Sequence, residues 1–138
     1  MALSFERQSY VNKLLISESD FLKSPDLCKE FAYLCFFDPR FEYGEFYVQD
    51  LVNAFKYTDA TFTSKVFACA DSAKWLSRCH EFTSNLYDKA LTLFSLDHFS
   101  PRELIGFPSQ MPLAGGYCVD TFEVELADRK LQIGRAHV

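Results

Sequence analysis

No stretch of the 138 residues is apolar for long enough to cross a bilayer, which takes roughly 20 consecutive residues. Glu6, Arg7 and Gln8 interrupt the first residues, so no signal peptide is expected. None of Asn12, Asn53 or Asn85 begins an Asn-x-Ser/Thr acceptor. Zinc motifs are missing as well: there is neither a Cys-x-x-Cys nor a His-Glu-x-x-His. A Walker motif and a dinucleotide fingerprint are both lacking, and Ala114-Gly115-Gly116 precedes a strand-like segment instead of opening a helix. No metal or cofactor is therefore expected. Basic residues are few and dispersed. Fourteen Lys and Arg face nineteen Asp and Glu, and Arg129-Lys130 is the only adjacent basic pair. Phosphate binding draws on clustered positive charge, so direct nucleic-acid binding is disfavoured.

The net charge of −5 is spread evenly, with ten acids and seven bases up to residue 69, then nine and seven beyond it. Hydrophobic residues make up 49% and charged residues 24%, the profile of a folded globular chain and not of a disordered one. The five cysteines, Cys28, Cys35, Cys69, Cys79 and Cys118, are odd in number and irregular in spacing. They read as reduced thiols of a cytoplasmic protein, serving mostly as small core residues. Aromatic content is the unusual quantity: 15 Phe, 7 Tyr and 1 Trp give 17%. Each ring can bury roughly 150–250 Å², enough for an aromatic-rich core and for a surplus that marks a contact surface.

Apolar spacing suggests an amphipathic helix over 5–18 and another beginning at Ser24-Pro25-Asp26, with Leu27, Phe31, Leu34 and Cys35 on one face. Residues 40–47 suit a short strand or an ordered loop, and Val48, Leu51, Val52 and Phe55 repeat as a helix. Phe62, Val66, Cys69, Ala73, Leu76 and His80 continue the helical step, with a second phase to about Leu96. Ser100-Pro101-Arg102-Glu103 is a capping box with proline at the first helical position, closed by Gly106. Residues 107–116 read as a loop, and Tyr117 to Leu126 alternate as a half-buried strand with a second strand from Leu131 to Val138. The expectation is a mainly α (α+β) single domain over 1–138, built as a bundle of four to six helices with a C-terminal β-hairpin. The helical part is 1–106, the loop 107–116 and the hairpin 117–138. An isolated hairpin is marginal, so it must pack on the helices, pair with a strand such as 41–47, or join a partner's sheet.

Catalytic constellations are sparse. Cys79 and His80 point about 100° apart on a helix, and Cys69 and His80 would be three turns apart. A tertiary Cys–His pair, such as Cys118 with His98, is the enzymatic alternative, a hydrolase without a readable motif. The richest segment is acidic and aromatic: Asp38, Phe41, Glu42, Tyr43, Glu45, Phe46, Tyr47 and Asp50, offset only by Arg40. The plainer reading is a solvated acidic loop. The functional one is a surface whose carboxylates steer it towards a basic protein partner while its rings anchor the contact. The leading expectation is thus a non-enzymatic protein-interaction module acting in the cytoplasm without contact to membrane or nucleic acid. Its concrete form is a small acidic phage or mobile-element inhibitor that blocks a basic surface of a host nucleoprotein complex, in the manner of anti-CRISPR proteins. A homo-oligomeric structural or assembly subunit is the third reading.

Overall fold

The computed structural model describes residues 2–6, 13–24, 26, 31–65 and 80–127. Nine strands and three short helices occur among them. In chain order these are β1 (Ala2–Glu6), β2 (Lys13–Ser17), α1 (Glu18–Lys23), β3 (Tyr33–Phe37), β4 (Phe41–Tyr43) and α2 (Tyr47–Ala54). Then follow β5 (Phe62–Ser64), β6 (Glu81–Leu86), a 3-10 turn (Lys89–Leu91), β7 (Thr92–Ser95), α3 (Pro101–Gly106), β8 (Met111–Cys118) and β9 (Val124–Leu126). Seven strands form one sheet in the order β2-β1-β3-β7-β5-β8-β6. Its β5–β8 pair is parallel and every other pair antiparallel. The remaining two, β4 and β9, make a separate antiparallel ribbon.

Both faces of the large sheet are covered. On one, Cys35, Leu93 and Tyr117 meet Tyr47, Leu51, Val52 and Ala54 of α2, with Phe41 and Val124 of the ribbon. On the other, Leu34, Phe36, Phe62 and Phe94 meet Phe21 of α1 and Leu104 of α3. Much of the aromatic surplus lies here. Phe94 sits among Phe36, Phe62, Phe99 and Phe107, with ring centroids 5.7–6.3 Å away. A buried lysine locks this layer to the sheet. Lys89 Nζ donates to the carbonyls of Ile105 (3.0 Å) and Phe107 (3.1 Å), groups that the end of α3 leaves without helical partners, and lies 4.3 Å over the Phe36 ring. Burial pushes its amine below the ordinary 10.5, against the pull of the Glu18 charge.

The expected helical bundle is not what forms. Of the span 5–18 read as a helix, residues 5–6 belong to β1 and 13–17 to β2, while 7–12 lie outside the described residues, and Ser24 ends α1 instead of starting a helix. The reason lies in coverage. β5 and β7 are buried at every position and β3 at all but its last, because layers pack on both sides. Such strands show no period-two alternation: β3 is a continuous apolar run, Tyr-Leu-Cys-Phe-Phe, while β5 and β7 also bury the hydroxyls of Thr63, Ser64 and Thr92 in hydrogen bonds. The span read as helix over 62–96 holds β5, β6, the 3-10 turn and β7, while 66–79 lie outside the described residues. So do Cys28, Cys69 and Cys79, residues 128–130, and the strand expected from Leu131 to Val138. Of the expected C-terminal hairpin, the described residues hold β9, which pairs with β4, within the segment 41–47 weighed as a partner. Two helices stand where expected. α2 takes 47–54, and α3 follows its capping box, with Ser100 Oγ accepting from the Glu103 N–H at 3.2 Å. No described helix is long and apolar enough to cross a membrane.

The loop expected over 107–116 becomes strand from Met111 onward, and its two glycines are fitted to that strand. Gly115 takes φ +89, a conformation costly for side chains, and its carbonyl accepts from the Thr61 N–H at 2.7 Å. Gly116 sits beside Phe62 in the parallel ladder, and the Phe62 ring fills the space a β-carbon would need. Gly116→Ala should therefore cost about 1–3 kcal/mol in urea unfolding, as overpacking does, and Phe62→Leu in the same chain should recover part of it. An alanine tolerated without loss would contradict this close approach.

Candidate functional site

The β4–β9 ribbon has one face turned in and one turned out. Phe41, Tyr43, Val124 and Leu126 face the core, whereas Glu42 and Glu125 are exposed. These two glutamates are direct register partners. Residues opposite each other in an antiparallel pair share a face, so two carboxylates stand side by side on the outer surface. An open groove of about 440 Å³ runs along this ribbon, lined by Glu42, Tyr43, Gly44 and residues 121–125. Phe122 stands at it with 70% of its surface exposed, and Phe46, in the turn before α2, is 50% exposed.

Glu123 builds the junction between ribbon and helix. Its carboxylate accepts from the Phe46 N–H at 3.0 Å, at the N-terminus of α2, where no side chain of the helix itself supplies a cap. A carboxylate there satisfies an orphan donor and meets the positive end of the helix dipole. Reaching it puts Glu123 at φ 68, the left-handed region that a residue with a β-carbon disfavours. The Gly44 N–H donates to the Glu123 carbonyl at 2.6 Å, and a β-carbon on Gly44 would collide with the Glu123 carboxylate. Gly44 and Glu123 thus form one fitted unit.

A buried ammonium is joined to this region through Asp120, the residue before Thr121. Lys65, just after β5, is fully buried, and its Nζ donates to Asp50 of α2 at 2.8 Å and to Asp120, just after β8, at 2.6 Å. Asp120 Oδ1 also accepts from the Phe122 N–H at 3.0 Å, which fixes the backbone that carries Phe122 to the groove.

The segment singled out in sequence divides accordingly. Glu42, Glu45 and Phe46 are exposed around the ribbon. Phe41 and Tyr47 belong to the core. Asp38 accepts from the Arg40 N–H at 2.9 Å and pairs with its guanidinium, which also reaches Asp88 at 3.4 Å. Asp50 is held by Lys65. Tyr43 donates to the Ala90 carbonyl at 2.9 Å and accepts from the Asp38 N–H, while the Tyr47 hydroxyl donates to the same carbonyl at 3.3 Å. Sequence reasoning missed Phe122, Glu123 and Glu125. An unbroken strand to Leu126 placed Phe122 on the buried face, but β8 stops at Cys118 and the chain turns before β9. Asp120 followed by Thr121 was the available sign of that turn.

Other chemistry is thin. Cys118 is buried within β8, and His98 Nδ1 faces Ser95 Oγ at 3.3 Å. Among the described residues, no group of three His, Cys, Asp or Glu converges to hold a metal ion.

Burial pushes the Tyr43 and Tyr47 hydroxyls above their ordinary 10.0, with the charge of Asp88 adding to both. A raised folded value means that the stability from these tyrosines is complete below pH 10 and lost as pH rises beyond it, because the unfolded chain ionises first. In an alkaline titration followed by phenolate absorbance, Tyr43 and Tyr47 should ionise only together with loss of the fold. Tyr47→Phe should remove its share of that steepness. Ionisation of all seven tyrosines near pH 10 with the fold intact would contradict their burial.

No protein-family model, curated protein or solved structure matches the chain.

Proposed function

We propose that the chain is a protein-interaction module that acts by binding, and that it docks on a basic surface of a partner protein through the outer face of the β4–β9 ribbon. The observation that carries this reading is the placement of Glu42 and Glu125 opposite each other, flanked by exposed Phe46 and Phe122. Two like charges directly opposite in a ladder concentrate negative charge on one outer face. Outward carboxylates raise the rate of encounter with a positive patch, and partly exposed rings supply anchors once the patch is covered. One concrete form is a small cytoplasmic inhibitor that occupies a basic surface which otherwise holds nucleic acid. The buried thiols of Cys35 and Cys118, neither in a disulfide, accord with a reducing compartment.

The test uses affinity capture from nuclease-treated lysate of the source cell, across a salt series, with wild type and two variants. A partner held by wild type at low salt should be released as salt rises, and Glu42→Lys with Glu45→Lys should not retain it. Glu125→Lys should also lose the partner, yet unfold about 0.2–1 kcal/mol later in urea, because it turns a repulsive cross-strand pair into an attractive one. Retention of the same partner by both variants would overturn the acidic-face reading.

A further inference from the structure

A second surface lies apart from the groove, at the β6 edge of the large sheet, and it rests on different residues. Tyr117 of β8 is the register partner of Phe82 on β6. Their rings lie 5.2 Å apart, centroid to centroid, at an interplanar angle of 77°. Tyr57, in the turn after α2, approaches the same Tyr117 ring at 5.9 Å and 81°. Two rings thus stand nearly perpendicular to a third. Tyr117 is buried, but Phe82 is 63% and Tyr57 60% exposed. Phe82 and Tyr57 are thus held against one buried ring without being covered themselves.

The charge around these rings is negative. Asp50 and Asp120 share the single ammonium of Lys65, which leaves one net negative charge. The reach of the two aspartates is visible at Tyr57, whose hydroxyl is pushed up by burial first and then by the charges of Tyr117, Asp120 and Asp50. Aromatic faces are the negative parts of their quadrupoles, so several rings beside carboxylates favour a soft organic cation over a neutral or anionic group.

We propose that Tyr57, Phe82 and Tyr117 form a binding site for an alkylated ammonium group, of the kind presented by a methylated lysine side chain. The site does not depend on the reading of the ribbon, because its ligand is recognised by one functional group and not by an extended basic surface.

The experiment titrates the full chain with choline chloride, and in parallel with the neutral isostere 3,3-dimethyl-1-butanol, at constant ionic strength, while the ring resonances are followed by NMR. Choline should shift the signals of Tyr57, Phe82 and Tyr117 and bind about two- to fivefold more tightly than the isostere, the ratio expected of an exposed cation–π contact. Phe82→Leu and Tyr57→Leu, both at exposed positions that leave the core intact, should each abolish that preference. Equal affinity for the two probes, ring signals that do not move, or a preference that survives both substitutions would overturn the proposal.

Discussion

The ammonium of Lys65, fully buried between Asp50 and Asp120, closes a circuit that the ribbon and its groove depend on. From Lys65 the circuit runs to Asp120, whose carboxylate accepts the Phe122 N–H. The next residue, Glu123, caps the start of α2 through the Phe46 N–H, and α2 returns through Asp50 to Lys65. Each of its non-covalent links is a charge-assisted hydrogen bond, a class about twice as strong as a neutral one. A buried ion pair adds little net stability over a well-packed apolar replacement, but breaking it leaves charge without compensation. The circuit therefore acts as a geometrical constraint. It ties the end of β5, the end of β8 and the first turn of α2 to one point.

That constraint explains a local arrangement that is costly in isolation. Glu123 occupies a left-handed backbone conformation, and Glu42 faces Glu125 across a three-residue ribbon. Neither feature favours the fold by itself. Backbone strain such as that at Glu123 persists only where the surroundings over-determine it. The inward face of the ribbon shows the contrast. There Phe41, Tyr43 and Val124 pack as an ordinary core layer, with Tyr43 and Tyr47 both donating to the Ala90 carbonyl.

How much of this could be read in the sequence depended on whether the signal was local. The box at Ser100 to Glu103 and the spacing from Val48 to Phe55 gave α3 and α2, because capping and amphipathicity act within a few residues. The acidic and aromatic character of 38–50 was equally plain. What could not be read was coverage of the sheet on both sides, which erases alternation in β3, β5 and β7, so that the apolar run of β3 and the isolated Phe62, Leu93 and Phe94 pass for helix faces. The second half of the groove was hidden for a related reason. Phe122 and Glu125 lie about 80 residues beyond Glu42, and the β4–β9 pairing with the Glu123 bonds to Gly44 and Phe46 brings them together. Gly116 beside Phe62 belongs to the same class, a glycine whose reason is a ring from another strand and not a turn.

The most direct test of this account is amide hydrogen exchange at Phe46 and Phe122 in the Lys65→Met variant, read beside its urea unfolding. The account predicts a loss of about 3 kcal/mol, the lower end for breaking a buried pair since both carboxylates retain some solvent. It also predicts that, under conditions where the variant remains folded, both amides exchange faster than in wild type while those of β3 and β7 do not. A variant that keeps wild-type exchange at Phe46 and Phe122 would show that the groove is held without the buried ammonium, and would contradict the account at its centre.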